Sequence, residues 1–281
     1  MKQIGLFFIL ALMILGTNSY AELADGLVSV WNFDDGSVND SIGNNDGEFI
    51  NGASTVDAEF GMALNLENPE NPATGENTGQ YVEIPSSASL EQEDGIFSVS
   101  LWVNVRTGGG RDHAGMFFKG EKVGWGAFFM IRMCTTNATS MTWGSCWEGT
   151  EGWFATGDVY AEEEWVHVAY VADGSEATAY VTSSVTDGTE VPASGQQNPR
   201  PITAPLLTFP DRPVEIGVGR QVGGNLGNDN WIDGMIDEIY FWDRALSADE
   251  VEELAGGALL GTVAVEAQGK LATTWAHIKK P

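Results

Sequence analysis

Residues 97–105 read Phe-Ser-Val-Ser-Leu-Trp-Val-Asn-Val, and no other stretch limits the possible folds as sharply. In an extended backbone Val99, Leu101, Val103 and Val105 fall on one side, and Ser98, Ser100, Trp102 and Asn104 on the other. A helix would scatter the four aliphatic residues round its circumference, so the pattern predicts a strand that rests one face on a core. Similar runs recur at 27–33, 63–66, 81–85, 125–133, 139–144, 153–156, 165–171, 177–181, 214–218 and 236–242, with Gly, Asn and Asp between them. About a dozen short strands with turn residues between them predict an all-β antiparallel sandwich or jelly roll. The 35 glycines suit its tight turns. No motif repeats at a fixed period, which argues against a propeller or solenoid.

One short helix is expected near the C-terminal end. Ser247-Ala-Asp-Glu250 is a capping box, Val251 and Leu254 supply an apolar stripe, and Gly256-Gly257 stops the run. Residues 67–80, rich in Asn, Pro, Gly and Glu, and residues 185–213, with Pro192, Pro199, Pro201, Pro205, Pro210 and Pro213, read as surface excursions. The expected organisation is an export signal over 1–21, one domain over 22–257, and a mildly basic tail over 258–281.

The export signal rests on Lys2, an uncharged apolar run over 4–16, and Ser19-Tyr20-Ala21, with small residues where a signal peptidase cuts. The apolar run is shorter than the roughly 20 residues a spanning helix needs. A secreted or cell-surface location without a membrane span is therefore expected. In an oxidising compartment Cys134 and Cys146, the two cysteines of the chain, are expected to form a disulfide. A catalytic thiol would want a histidine beside it, and His113, His167 and His277 are all remote in sequence.

Asp plus Glu number 40 against 13 Lys plus Arg, a formal net charge of −27. Such a surface repels phosphate backbones and anionic headgroups, so nucleic acid is not an expected partner. The excess serves either solubility outside the cell or the collection of a divalent cation.

Several motifs, taken in order, resemble a known family. They are Val28-Ser-Val-Trp31-Asn-Phe33-Asp34-Asp35-Gly36, Gly61-Met-Ala-Leu-Asn-Leu66 with Tyr81-Val-Glu-Ile-Pro85, Phe97-Ser-Val-Ser-Leu-Trp102-Val, Trp165-Val-His167-Val-Ala169, and Ile232-Asp233-Gly234-Met-Ile-Asp237-Glu238-Ile-Tyr-Phe241-Trp-Asp-Arg244-Ala-Leu246-Ser247. Over residues 23–257 the chain resembles a laminin-G-like jelly-roll domain of the concanavalin A-like lectin/glucanase superfamily. The resemblance implies two stacked antiparallel sheets, frequent Ca²⁺ binding, and loops or a concave face offered to glycans or proteins. The proline-rich excursion before Val214 departs from the pattern.

The cation candidate joins the two ends of the domain. Asp34 follows the first strand, Asn45 and Asp46 lie in the next turn, and Asp237 lies on the last long strand, which commonly pairs with the first. Carboxylate and amide oxygens are the hard ligands Ca²⁺ prefers, although the same residues also make turns. No EF-hand loop is present, and three scattered histidines do not suit zinc. Trp125, Trp143, Trp147 and Trp153 surround the expected disulfide and either pack on it or stack against a sugar. Trp31, Trp102, Trp165 and Trp242 sit in strand patterns and are expected in the core. Asp233 and Asp237 would stand about 13 Å apart on a regular strand, too far for a retaining carboxylate pair. The Glu-x-Asp-x-x-Glu pattern of glucanases is absent, so catalysis is not expected. The function expected is a secreted, Ca²⁺-assisted module that binds a glycan or an extracellular protein. The alternatives are a surface-assembly protein without a small ligand and, after that, a glycoside hydrolase.

Overall fold

A computed structural model describes residues 22–69, 78–109, 114–120, 128–133, 140–147, 150–158, 161–184, 198–203, 208–220 and 230–260. Between 121 and 160 the description covers the backbone alone. The expected export signal, Trp125, Cys134 and the residues after 260 lie outside it.

Two antiparallel sheets face each other, as the alternating patterns predict. The first has eight strands among the described residues. Its centre is β6 (Ile96–Val105), flanked by β11 (Trp165–Asp173) and β17 (Gly234–Trp242). Beyond β11 come β12 (Glu176–Thr182) and β13 (Arg200–Pro201); beyond β17 come β4 (Met62–Leu66) and β3 (Ser54–Asp57). The second sheet runs β10 (Thr150–Asp158), β9 (Ser140–Trp147), β8 (Phe128–Met133), β7 (Gly115–Gly120), β14 (Val214–Ile216), β5 (Tyr81–Ile84) and β2 (Glu48–Ile50). A small ribbon pairs β15 (Val218–Gly219) with β16 (Asn230–Trp231).

The core lies between the sheets. Val99, Leu101, Val103 and Val105 enter it from β6, and meet Val166, Val168 and Tyr170 from β11, Ile236, Ile239 and Phe241 from β17, and Phe117, Val214 and Ile216 from the facing sheet. β7 escapes sequence reading because all six of its residues are buried. A strand covered on both faces loses the alternation that betrays a half-covered one. β3 escapes for the opposite reason, being a short and mostly exposed edge.

The first and last strands do pair: β1 (Leu27–Trp31) runs antiparallel to the second half of β17. The first half of β17 pairs with β4 instead, over Gly234–Ile236. One edge of β17 thus serves two partners, and between them the register against β6 slips from Asp237 to Tyr240. Glu238 takes a left-handed φ of 51° in this bulge.

The helix α1 (Ala248–Ala255) begins at the expected capping box, with Ser247 Oγ accepting from Glu250 N–H and the Glu250 carboxylate accepting from Ser247 N–H. Val251 and Leu254 pack on the outward face of the first sheet against Val30, Ala169, Val171, Tyr240 and Trp242. Ser98 Oγ donates to the Arg244 carbonyl at 2.9 Å and accepts from Leu246 N–H at 3.0 Å, tying the approach to the helix onto β6. Packing continues past the expected boundary, since Leu259 is buried in the same cluster.

Removing Leu101 side-chain volume opens a void between the sheets. Leu101→Ala should cost about 2–5 kcal/mol in urea unfolding, whereas Val56→Ala on the exposed edge should stay within about 0.5 kcal/mol of the parent.

Candidate functional site

Among the described residues, α1 covers the outward face of the first sheet at one end. At the other end Trp102 of β6 and Trp165 of β11 stand half-buried on the side away from the core. Phe60, in the turn between β3 and β4, fills the notch between them, with ring centroids 4.9 Å from Trp102 and 5.4 Å from Trp165. The turn is held by an Ala58 N–H to Gly61 carbonyl bond of 2.7 Å and by Met62 N–H donating to Asp34 Oδ1 at 3.1 Å. Gly61 has a φ of 144°, and a Cβ there would stand 2.0 Å from Asp34 Oδ1. Glycine is required for that approach.

Polar side chains surround the two tryptophans. His167 and Asp237 are the cross-strand partners of Trp102, one on each side, and Asn104 is the partner of Trp165. Ser100 Oγ and His167 Nε2 are 2.7 Å apart. His167 Nδ1, Asn104 Oδ1 and Asp237 Oδ2 are buried without a hydrogen-bond partner, and their residues are only 1%, 6% and 1% exposed. Buried polar atoms are nearly always paired in folded proteins, so three orphans around one tryptophan pair call for a physical explanation.

Desolvation sets the protonation here. Burial pulls His167 down to about 3, so the ring is neutral at ordinary pH. Burial, and then the charges of Glu238 and Asp34, push Asp237 up to about 8. The bulge in β17 brings these carboxylates together. Ile236 and Ile239 both enter the core, so the two residues between them leave it. Glu238 accepts from the Tyr240 hydroxyl on the helix-covered side, and Asp237 Oδ1 accepts from Glu238 N–H at 2.8 Å. The alternation expected of a regular strand would have put Asp237 and Glu238 on opposite faces.

The four residues proposed from sequence for a cation fall into two groups. Asp34 and Asp237 are electrostatic neighbours at the bulge. Asn45 belongs to a separate knot, donating through Nδ2 to Ser29 Oγ at 2.7 Å and accepting from Ser87 Oγ at 2.5 Å. Asp46 Oδ1 accepts from Asp40 N–H at 2.9 Å in that turn. Among the described residues no group of three or more His, Cys, Asp or Glu side chains is arranged to hold a metal ion.

Of the aromatic candidates, Trp143 and Trp147 lie on β9 opposite Phe154 and Thr150, and Trp153 lies on β10 opposite Gly144. Their side chains fall outside the described residues, as does Trp125. Cys146 sits opposite Glu151, while Cys134 is not described. Trp31 and Trp242 are fully buried as expected, but Trp102 and Trp165 are not core residues. The sequence held the signal: Trp102 is out of phase with Val99, Leu101, Val103 and Val105, so a strand that buries those four must turn Trp102 outward.

On the second sheet, Glu215 and Arg220 form a buried ion pair, with Nε to Oε distances of 3.0 and 2.9 Å, and the Arg220 guanidinium lies 4.9 Å from the Tyr81 ring centroid. That arrangement is internally matched in charge and geometry.

Comparison with known proteins agrees with this architecture. The family described as the Concanavalin A-like lectin/glucanases superfamily matches residues 76–252. No curated protein sequence matches the chain. Among solved structures, domain 4 of AbnA, a GH43 extracellular arabinanase from Geobacillus stearothermophilus solved with arabinotriose, aligns at 18% identity and a TM-score of 0.55, covering 82% of this chain and 98% of that domain. The binding domain of Paraclostridial Mosquitocidal Protein 1 aligns at 15% identity and TM-score 0.59, covering 85% of this chain and 53% of that one. Trypanosoma rangeli sialidase aligns at 13% identity and TM-score 0.55, covering 84% of this chain and 34% of the enzyme. This chain therefore spans about half of the mosquitocidal binding domain and about a third of the sialidase. At these identities the likeness is one of fold.

The neutral, buried His167 gives a signed pH effect. The unfolded chain takes up a proton near 6.5 that the folded chain refuses until about 3. In that window the unfolded state binds more protons, so this residue makes stability fall as the pH drops, by up to about 1.4 kcal/mol per pH unit. Urea unfolding of His167→Gln at pH 4.5 and pH 7 should show a smaller difference between the two pH values than the parent. Equal differences would overturn the assignment.

Proposed function

The chain belongs to the concanavalin A-like lectin/glucanases superfamily, and from that premise we propose that it is a non-catalytic module that binds neutral oligosaccharides at the notch of Phe60, Trp102 and Trp165. The observation that carries the reading is the meeting of a half-buried aromatic pair with three unpartnered polar atoms. A sugar has weakly polar C–H faces that stack on indole and hydroxyls that seek buried donors and acceptors. The likeness to a full arabinanase domain solved with arabinotriose supports the same direction. Its GH43 parent is an enzyme, whereas among the described residues the notch holds a neutral His167 and carboxylates gathered at the β17 bulge. The formal charge of −27 and the neighbouring charges of Glu238 and Asp34 disfavour sialylated or uronic ligands. An export signal, expected over residues 1–21, fits a module that meets polysaccharide outside the cell.

Titration calorimetry with arabinotriose, xylotriose and cellotriose tests the reading. Trp102→Ala and Trp165→Ala should each weaken binding about tenfold, the worth of a lost aromatic stack. Failure of the parent to bind any neutral oligosaccharide overturns it.

Asp237 favours a second role at the same end of the sheet. Its unpartnered oxygen, beside the exposed carboxylate of Asp34, becomes the kind of hard ligand that Ca²⁺ takes once the cation displaces the Asp237 proton. Asn45 and Asp46 would not contribute, being engaged elsewhere. Calcium at 100 times its dissociation constant should stabilise the fold by about 2.7 kcal/mol through linkage. Melting temperature should therefore rise with Ca²⁺ in the parent and not in Asp34→Ala; an unchanged parent overturns the site.

A further inference from the structure

We infer that Phe60 is a plug that occupies the ligand's own place, and that Asn104, His167 and Asp237 are the hydrogen-bonding floor a sugar reaches once Phe60 leaves. The inference rests on the oligosaccharide reading above and adds to it the residues that set access and selectivity.

The argument begins with the orphaned atoms. A buried acceptor or donor without a partner costs stability, and the fold keeps three of them around Trp102 and Trp165. Strands stand about 4.8 Å apart, so His167 and Asp237, on either side of β6, are about 10 Å apart at the backbone. Asn104 lies about 7 Å further along β6 than Trp102. That triangle has the extent of one sugar ring with its hydroxyls. A flat polyol on the indoles would bring hydroxyls to all three corners. An apolar ligand would leave every corner unsatisfied.

Phe60 holds the notch in the meantime. Its ring makes two aromatic contacts there. It comes from the four-residue turn that joins β3 to β4, braced by the Ala58–Gly61 backbone bond, by Asp34 and by the Asp57–Met62 strand pairing at its ends. A few dihedral changes at 58–61 would move the ring, whereas Trp102 and Trp165 are fixed by the paired strands that carry them. Closure by Phe60 keeps water off the floor, and opening exposes the polar atoms together.

Removing the plug should therefore strengthen binding. By titration calorimetry with arabinotriose, xylotriose and cellotriose, Phe60→Ala should bind about tenfold more tightly than the parent, the contact energy that the ligand no longer has to displace. Asn104→Leu should bind about fivefold more weakly. Its melting temperature should equal or exceed that of the parent, since an orphaned acceptor has been removed. A merely structural Asn104 would lower the melting temperature and leave binding unchanged. Circular dichroism confirms that each variant is folded. Binding by the parent that is equalled by Phe60→Ala, or by Asn104→Leu, overturns the inference and leaves the oligosaccharide reading standing. Binding by Phe60→Ala alone supports it. Absence of binding by both the parent and Phe60→Ala overturns the reading and the inference together.

Discussion

The divided edge of β17 is the constraint from which the rest of this molecule follows. A nine-residue strand pairs with β4 over its first three residues and with β1 over its last four. Two partners on one edge cannot both continue through the same position. The strand therefore bulges where one leaves and the other arrives, and two consecutive residues turn out of the core. Those residues are Asp237 and Glu238, and the loop leaving β1 carries Asp34 to the same spot. The carboxylate cluster is thus a product of topology, not of any local motif.

The same sheet shows how unevenly a sandwich can cover its outer face. α1 and the segment after Arg244 cover Tyr240, Trp242, Ala169 and Val171, and Ser98 fastens them to the central strand. Nothing comparable extends over Trp102 and Trp165 among the described residues except the Phe60 turn. Alternation along β6 and β11 gives one strand both functions: Ser98 and Ser100 anchor structure at one end, and Trp102 and Asn104 face the notch at the other. A ligand site on paired strands holds its tryptophans in place more firmly than a loop would.

Much of this is legible in the chain because burial on one face writes itself as alternation. Residues 97–105 and 165–171 read as strands for that reason, and the capping box at Ser247 marks the helix. β7 is illegible because both of its faces are covered, and β3 because neither is. The site is half legible. The expectation that terminal strands pair brings Asp34 and Asp237 together correctly. Sequence proximity alone joins Asn45 and Asp46 to them, and the fold instead uses these two to tie the turn after β1 to Ser29, Ser87 and Asp40. Residue type assigns Trp102 to the core, although its phase already places it outside. Phase is the stronger witness, since a strand that buries Leu101 and Val103 on one side must present Trp102 on the other. The bulge has no such signal: the break lies between Asp237 and Tyr240, where partners change, and not at Gly234, the one glycine of the strand.

The notch also explains why unsatisfied polar atoms can persist in a fold that could shed them. A core of Val, Leu and Phe already links the sheets through β6, β11 and β17, so orphans on the outer face subtract from stability without endangering the fold. An apolar residue at position 104 would be the simpler solution for stability alone. Retaining Asn, His and Asp side by side is intelligible when their partner arrives from outside. The electrostatics narrow that partner further. His167 is neutral and offers one ring nitrogen, Asp237 is held toward its protonated form, and Asn104 is uncharged, so the floor presents dipoles rather than ions. Dipoles at fixed spacing discriminate among hydroxyl patterns, and the surrounding acidity turns anions away.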